Sequence, residues 1–322
     1  MFTDIGNRIV KKLGRVPSIP EELKLKRDIV SKGASESYQS KGHEQILSSN
    51  RLERRERSLG GALGGSCLTK LKDDGYGVFK PYDRYEVQER KRFIQTERAA
   101  YLTDLLLGFD LVPPTVVRTL PNQNTFVNQV GSMQQFIENS RVGAELSHEE
   151  RQAIDKDEVM KLELFDFMIQ NSDRHMGNYL VKDGKIYAID HGSCLGSEIN
   201  PLKEDADIRE CILSDNDPHS RSHLIVFGEF YERKIPDTTV AKLKAFAASE
   251  KEQIVYLRLM SELIEERYAA PYLDRILCII HAINDSGMVD RKMYRENIEK
   301  EVTRYQTLEN HLNEAASLEK AA

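Results

Sequence analysis

The run from Asp157 to Asn171 is apolar on nearly every side (Val159, Met160, Leu162, Leu164, Phe165, Phe167, Met168, Ile169) and contains neither glycine nor proline. It is too long for one strand, so it predicts a buried helix that ends near Asn171-Ser172. Asn178 to Val181 and Ile186 to Ile189 are β-prone runs separated by Lys182-Asp183-Gly184-Lys185. Asp-Gly between such runs predicts a two-residue hairpin turn, because that turn needs positive φ. Counting outward from the turn sets Val181 against Ile186 and Asn178 against Ile189. Asn178 and Asp190 then lie at the same open end of one hairpin, with the Asp173-Arg174-His175 loop feeding into it from the buried helix. Strand parity would point Asn178 and Asp190 to opposite faces. A contact shared by both therefore requires the second strand to end or bend at Asp190, which His191-Gly192 permits.

The residue types at that hairpin end suit a magnesium nucleotide site. Mg²⁺ takes hard oxygen ligands from one or two protein groups and fills its remaining positions with phosphates and water. Asn178 and Asp190 are the candidate metal ligands. Asp173 is the candidate base or orienting group for an acceptor hydroxyl, and His175 the candidate for stabilising or relaying charge on a transferred phosphoryl group. Singly, an Asp-Arg pair is an ordinary loop salt bridge and a histidine an ordinary structural residue. Their convergence on one hairpin end points to a site.

Asp173-Arg174-His175-x-x-Asn178 followed by Ile189-Asp190-His191-Gly192 resembles the catalytic and metal-binding loops of the phosphatidylinositol 3-/4-kinase-like branch of the protein-kinase superfamily. The order Asp-Arg-His replaces the His-Arg-Asp of ordinary protein kinases, and Asp-His-Gly replaces Asp-Phe-Gly. The resemblance runs from about Leu59 to Gly196. It implies an α+β, two-lobed protein-kinase-like fold, with a small β-rich N-lobe and a mostly helical C-lobe, using ATP and Mg²⁺.

Upstream, Leu59 to Leu71 holds glycines, among them Gly61, Gly64 and Gly65, whose backbone N–H groups could approach phosphates. A hairpin through Asp73-Asp74-Gly75 leads to Tyr76-Gly77-Val78-Phe79-Lys80-Pro81, a short strand ending in a lysine. In the kinase pattern that lysine holds the nucleotide phosphates, and Lys80 fits the place. Thr96 to Gly108 predicts a helix closed by its glycine, with Glu97 in the first turn as a partner for Lys80. Val112 to Arg118 and Phe126 to Val130 predict strands. The resemblance makes Met133 to Glu138 the interlobe linker, with backbone groups around Gln134 and Phe136 contacting adenine.

A net charge of −6 argues against nucleic acid as a partner, which would call for a basic surface. Cys67, Cys194, Cys211 and Cys278 have no CxxC spacing, so neither a zinc site nor a disulfide framework is signalled. No window reaches transmembrane length, and a soluble, cytoplasmic protein is expected. Residues 1–57, with Pro17, Pro20, a polar middle and the Arg51 to Arg57 cluster, predict a flexible or peripheral extension that buries too little to offset chain entropy. Residues 58–138 are assigned to the N-lobe and linker, and residues 139–322 to the helical C-lobe. From Thr238 onward helices are predicted over Ala241 to Ala248, Gln253 to Tyr268, Tyr272 to Ile283 and about Asp290 to Ala316, the last largely solvated. Leu273, Ile276, Leu277, Ile280 and Ile283 have the spacing of a buried face.

The reading is an ATP- and Mg²⁺-dependent phosphotransferase acting on a hydroxyl. Protein serine or threonine is favoured by the short, acidic chain without a basic membrane patch. A phosphoinositide is the alternative, with the Ser197 to Asp237 segment as the place where acceptor choice would be written. A nucleotide-binding pseudokinase used as an interaction module is a second reading. A metal-dependent phosphohydrolase is a third, which leaves Lys80, Glu97 and the glycine stretch without a role.

Overall fold

The computed structural model describes residues 42–60, 66–72, 75–81, 87–121, 128–171, 173–195, 233–264 and 266–321. The chain divides into two units, whose described residues run from 42 to 195 in the first and from 233 to 321 in the second. The fold is of the α+β class. The extension expected over residues 1–41, the glycines Gly61, Gly64 and Gly65, and most of the Ser197 to Asp237 segment lie outside the described residues.

The first unit opens with helix α1 (His43–Ser49), strands β1 (Leu52–Gly60), β2 (Ser66–Leu71) and β3 (Gly75–Pro81), helix α2 (Val87–Leu107), and strands β4 (Thr115–Pro121) and β5 (Asn128–Gln135). The strands form one antiparallel sheet in the order β1-β2-β3-β5-β4. Lys80 pairs with Ser132 and Pro81 with Gly131. Only glycine fits at 131, since a Cβ there would lie 2.4 Å from the Lys80 carbonyl oxygen. The close approach at this point holds the end of β3, and with it Lys80, against β5.

Residues 43–57 depart from the expectation of a peripheral extension. Leu47 of α1 is buried with Leu71, Phe79, Val116, Leu120 and Met133, and β1 is an edge strand of the sheet. Polar contacts fix α1 as well. The buried Glu44 is ion-paired with Arg98 of α2, and Arg118 of β4 donates to the carbonyls of Leu47, at 2.6 Å, and Asn50. A helix this short gains its stability from packing rather than from its own propensity, so its sequence shows little more than Ile46-Leu47.

Helix α2 begins at Val87, well before the Thr96 that its apolar pattern suggested. The Gln88 to Arg92 run is rich in good helix formers and extends the helix, which puts Glu97 mid-helix rather than in the first turn. Its end is as expected: Gly108 has φ 76° and its N–H donates to the Asp104 carbonyl at 2.8 Å. The buried Asp104 carboxylate accepts the Leu111 N–H at 3.1 Å, which holds the turn into β4.

The rest of the unit contains β6 (Arg141–Val142), the short helix α3 (His148–Gln152), helix α4 (Lys156–Met168), β7 (Tyr179–Lys182) and β8 (Lys185–Ala188), with the strands ordered β6-β7-β8. Helix α4 starts at Asp155, whose side chain accepts the Asp157 N–H at 2.9 Å. It is buried continuously from Leu162 to Met168. Gln170, at φ 50°, turns the chain out of it. The hairpin has the expected register, with Val181 opposite Ile186 and Lys182 opposite Lys185. Asp183 and Gly184 have φ of 52° and 79°, the positive values of a type I′ turn.

The second unit contains helices α5 (Asp237–Ala248), α6 (Glu250–Leu263), α7 (Glu266–His281) and α8 (Arg291–Ala321). Leu273, Ile276, Leu277, Ile280 and Ile283 are all buried, as their spacing predicts. Two details differ from expectation. The helix expected through Tyr268 breaks at Ile264, which is extended (φ −116°, ψ 163°) with no glycine or proline to announce it. The charged last helix is also tied down: buried Asp274 of α7 accepts from Arg304, at 2.6 Å, and from Tyr305, at 2.8 Å.

Asp104 makes the first unit sensitive to pH. Burial, opposed by the Leu111 and Val112 N–H groups, raises its pKa to about 7. The folded state therefore favours the protonated form. The resulting stability is complete below the unfolded aspartate pKa of about 4 and is lost as pH rises through about 7. Asp104→Asn keeps an acceptor without the charge. Denaturant unfolding at pH 5 and pH 8 should show the variant losing less stability across that interval than the wild type, by a few kcal/mol at one pKa unit per roughly 1.4 kcal/mol.

Candidate active site

The site is built by three segments far apart in the chain, all within the first unit. Lys80, near the end of β3, is ion-paired with Glu97 of α2, and its Nζ lies 3.1 Å from Asp190 Oδ1. Glu97 is buried. Loss of solvent alone would lower the Lys80 pKa, but the Glu97 and then the Asp190 carboxylate outweigh it and hold the ammonium above its ordinary range. For Asp190 the balance runs the other way. Partial desolvation raises its pKa, while Lys80 first, then Arg174 and His175, bring it below the usual carboxylate value. Both groups are charged at neutral pH.

Asp190 reaches Lys80 because the strand ends before it. Strand β8 stops at Ala188, and Asp190 has φ 60°, a left-handed conformation uncommon for a residue with a side chain. This breaks the parity that would have separated Asp190 from Asn178. The two remain backbone neighbours: the Ile189 N–H donates to the Asn178 carbonyl at 3.1 Å. Asn178 is buried, and its Nδ2 donates to the Asp173 carbonyl at 2.8 Å. That bond fixes the amide and leaves Oδ1 as its acceptor end.

Beneath these residues sits Arg174, with no exposed surface. It makes a two-pronged ion pair with Asp166 of α4, Nε to Oδ2 at 2.8 Å and Nη2 to Oδ1 at 2.9 Å. Its Nη1 donates to the carbonyls of Asn178 and, at 2.7 Å, Ile189, and its Nη2 lies 3.0 Å from His191 Nε2. One side chain thus fastens the buried helix to both strands of the hairpin end. Asn171 completes the set by donating to Asp166 Oδ1 at 2.9 Å and accepting the Asp173 N–H at 3.2 Å.

The sequence places Arg174 in the converging Asp173-Arg174-His175 loop and assigns Asp166 no role. Asp166 stands between Phe165 and Phe167 in an otherwise apolar run, and a carboxylate there demands a buried cation. That was the signal. Of the residues picked out from sequence, Lys80, Glu97 and Asp190 come into direct contact, and Asp173 and Asn178 adjoin them through the backbone. His175 is exposed and its Nδ1 accepts the Gly177 N–H at 3.0 Å. Gln134 and Phe136 stand apart from this cluster. Gln134 is paired within the sheet on both sides and its side chain donates to Thr115 Oγ1 at 2.9 Å. The Phe136 N–H is bonded to the Tyr76 carbonyl at 3.2 Å.

The donor set fits magnesium on the structure's own terms. Asp190 is ionised and turned out of the strand, and the Asn178 amide is oriented with its oxygen available. Among the described residues no cluster of three or more His, Cys, Asp or Glu side chains is placed to hold a metal ion. One aspartate and one asparagine are a sparse set, which suits an ion that takes most of its oxygens from phosphates and water.

Residues 88–212 match the family model for phosphatidylinositol 3- and 4-kinase. Over these residues the chain is similar to the phosphatidylinositol 3- and 4-kinases. It is 38% identical over 93 residues to phosphatidylinositol 4-kinase gamma 4 of Oryza sativa subsp. japonica, covering 27% of this chain and 16% of that protein. To phosphatidylinositol 4-kinase gamma 3 of Arabidopsis thaliana it is 35% identical over 103 residues, covering 27% of this chain and 17% of that protein. The match thus spans about a sixth of the length of these curated relatives. Among solved structures, hydra Fam20 with sugar aligns with a TM-score of 0.47 at 16% identity, over 80% of this chain and 89% of that one. The Helicobacter pylori proinflammatory kinase CtkA aligns with a TM-score of 0.43 at 16% identity, over 79% and 97%. Glu97, Asp173, Asn178 and Asp190 fall inside the residues matched by the family model, and Lys80 lies before them.

Removing one partner of the buried pair should be severe. Asp166→Asn leaves a buried guanidinium without its counter-charge, a loss on the order of 3–5 kcal/mol. Arg174→Lys should cost a similar amount, because an ammonium cannot reproduce the fork that serves Asp166 and two carbonyls together. Chemical denaturation of the two variants checks both.

Proposed function

We propose that the chain is an ATP- and Mg²⁺-dependent phosphotransferase that moves the γ-phosphoryl group to a hydroxyl, and that its acceptor is a protein serine or threonine. The observation that carries the reading is Lys80 held between Glu97 and Asp190, a cation fixed at one hairpin end by carboxylates from two other segments. A lone ion pair on a strand edge would need only one of those partners.

In this mechanism Lys80, steadied by Glu97, neutralises nucleotide phosphate charge. Asn178 Oδ1 and the Asp190 carboxylate would hold Mg²⁺, which would supply charge neutralisation on the phosphate oxygens. Asp173 orients the acceptor hydroxyl and accepts its proton, and His175 offers a further donor beside the transferred group. The glycines Gly61, Gly64 and Gly65, outside the described residues, are assigned to phosphate contact on the sequence pattern. Gln134 and Phe136 line the adenine side, where the Ile137 N–H, which has no hydrogen-bond partner among the described residues, is the available donor. Residues 58–138 serve as the nucleotide-holding lobe and residues 139–322 as the lobe carrying the catalytic and metal loops. Catalysis rests on positioning and electrostatics rather than a covalent intermediate.

The acidic balance of the chain supports a protein acceptor over an anionic membrane surface, which attracts basic segments. Among the described residues no helix is long and apolar enough to cross a membrane. None of Cys67, Cys194 and Cys278 forms a disulfide with another described residue, which favours a reducing compartment such as the cytoplasm. A phosphoinositide acceptor is the second reading, favoured by the names of the plant relatives.

Incubation of the full chain with ATP and Mg²⁺, alone, with candidate proteins and with phosphatidylinositol vesicles, should give phosphate on serine or threonine. Asp173→Asn should lower that transfer on the order of 10²–10⁴-fold, as expected for loss of a general base, and Asp190→Asn should remove it. Label in the lipid alone would move the acceptor to phosphoinositide. ATP binding without transfer to any acceptor would make the chain a pseudokinase, and failure to bind ATP would overturn the assignment.

A further inference from the structure

His191 follows Asp190 directly and has no exposed surface. Arginine can only donate hydrogen bonds, so His191 Nε2, 3.0 Å from Arg174 Nη2, is an acceptor, and the ring proton sits on Nδ1. Burial first, then the Arg174 guanidinium and the Lys80 ammonium, keep the ring neutral by pushing its pKa well below the usual histidine range. The Nδ1–H is buried without a hydrogen-bond partner, and orphaned buried donors are rare in folded proteins. It lies 3.9 Å from Oε2 of Glu97, the carboxylate whose Oε1 is paired with Lys80. Nearby bonds hold the ring in this place. The His191 carbonyl accepts from Cys194 Sγ at 3.1 Å, the Gly192 carbonyl accepts from Thr96 Oγ1 at 3.2 Å, and Phe165 meets the ring edge-on with centroids 6.1 Å apart.

We propose that His191 is a positioning residue for nucleotide binding. Its Nδ1–H is the second holder of Glu97, engaging Oε2 when Lys80 shares its charge with phosphate, while its Nε2 ties that glutamate to Arg174 and so to the segment presenting Asn178 and Asp190. The inference rests on the phosphotransferase reading above. A movement of about 1 Å closes the Nδ1 to Oε2 gap to hydrogen-bond length. A phenylalanine here, as in the Asp-Phe-Gly of ordinary protein kinases, would fill the same space but could neither donate to Glu97 nor accept from Arg174.

The test is titration of the 322-residue chain with Mg²⁺·ADP, alongside kcat and KM for ATP, in the wild type, His191→Phe, His191→Asn, His191→Gln and Glu97→Gln. Wild-type protein that binds no nucleotide would sink the phosphotransferase reading itself. With wild-type binding in hand, His191→Phe should weaken ADP about tenfold, the factor that corresponds to one charge-assisted hydrogen bond, and should raise KM for ATP more than it lowers kcat. His191→Asn, whose amide N–H replaces Nδ1–H, should recover most of that loss, whereas His191→Gln, which restores only the far acceptor, should not. In a Glu97→Gln background the effect of His191→Phe should largely vanish, because the two changes remove one interaction. Equal ADP affinity in His191→Phe and the wild type overturns the proposal, as does full additivity with Glu97→Gln. If His191→Phe does not fold, the Asn and Gln variants decide: equal affinity in those two overturns it.

Discussion

A guanidinium and a carboxylate with no exposed surface hold the first unit's functional end together. Taking Arg174 and Asp166 out of water costs several kcal/mol per ion, and only good geometry with further hydrogen bonds offsets it. The structure supplies both. The pair is two-pronged, the remaining Arg174 donors reach the carbonyls of Asn178 and Ile189 and the ring of His191, and Asn171 also binds Asp166. Hydrophobic residues of similar volume could fill that space at equal or better stability. They could not fix the backbone at Asn178, one candidate metal ligand, and at Ile189, the residue before the other. The buried charge is therefore better understood as a device for position than for stability.

Lys80 depends on a second set of constraints. Its strand is pressed against β5 at Gly131, and its partner Glu97 rides on α2, which is itself held by the Glu44–Arg98 pair one residue further along. Helix α1, distant in sequence from the candidate site, thus contributes to the placement of the glutamate. Both Glu44 and Glu97 are buried, so each needs its cation, and a shift of α2 would disturb two buried pairs at once.

The hairpin and its surroundings were legible because they are specified locally. Asp183-Gly184 dictates a turn, the turn dictates the register, and the register puts Asn178 and Asp190 at one end. The need for a break at Asp190 also followed from strand parity alone, and φ 60° provides it. Long-range features were harder to read. The role of α1 comes from packing of Leu47 on a sheet that no local pattern announces. The early start of α2 lay in a charged run without periodicity, and Glu97 was placed in the wrong turn of the right helix. Gln134 was assigned to the interlobe linker, whereas β5 runs on through Gln135, and the pairing that holds Gln134 within the sheet depends on two other strands. Arg174 was read only as part of the Asp173-Arg174-His175 motif, and its burial shows in the sequence only through its partner between two phenylalanines on α4.

Lys80 and the candidate metal site share Asp190, and this constrains how the site can work. The carboxylate now lies 3.1 Å from the Lys80 ammonium. An Asp190 oxygen that coordinates Mg²⁺ can keep only part of that interaction, since two cations drawn to one carboxylate repel each other unless anionic phosphate lies between them. On the proposed reading, nucleotide and metal are therefore favoured together, and either alone is held less well. Glu97 is the partner that Lys80 retains throughout. Unlike Asp190, it is buried, and it has the His191 ring on its other side. The asymmetry between one exposed and one buried carboxylate around a single lysine separates the two roles: Asp190 is free to exchange its cation, while Glu97 keeps the ammonium in place.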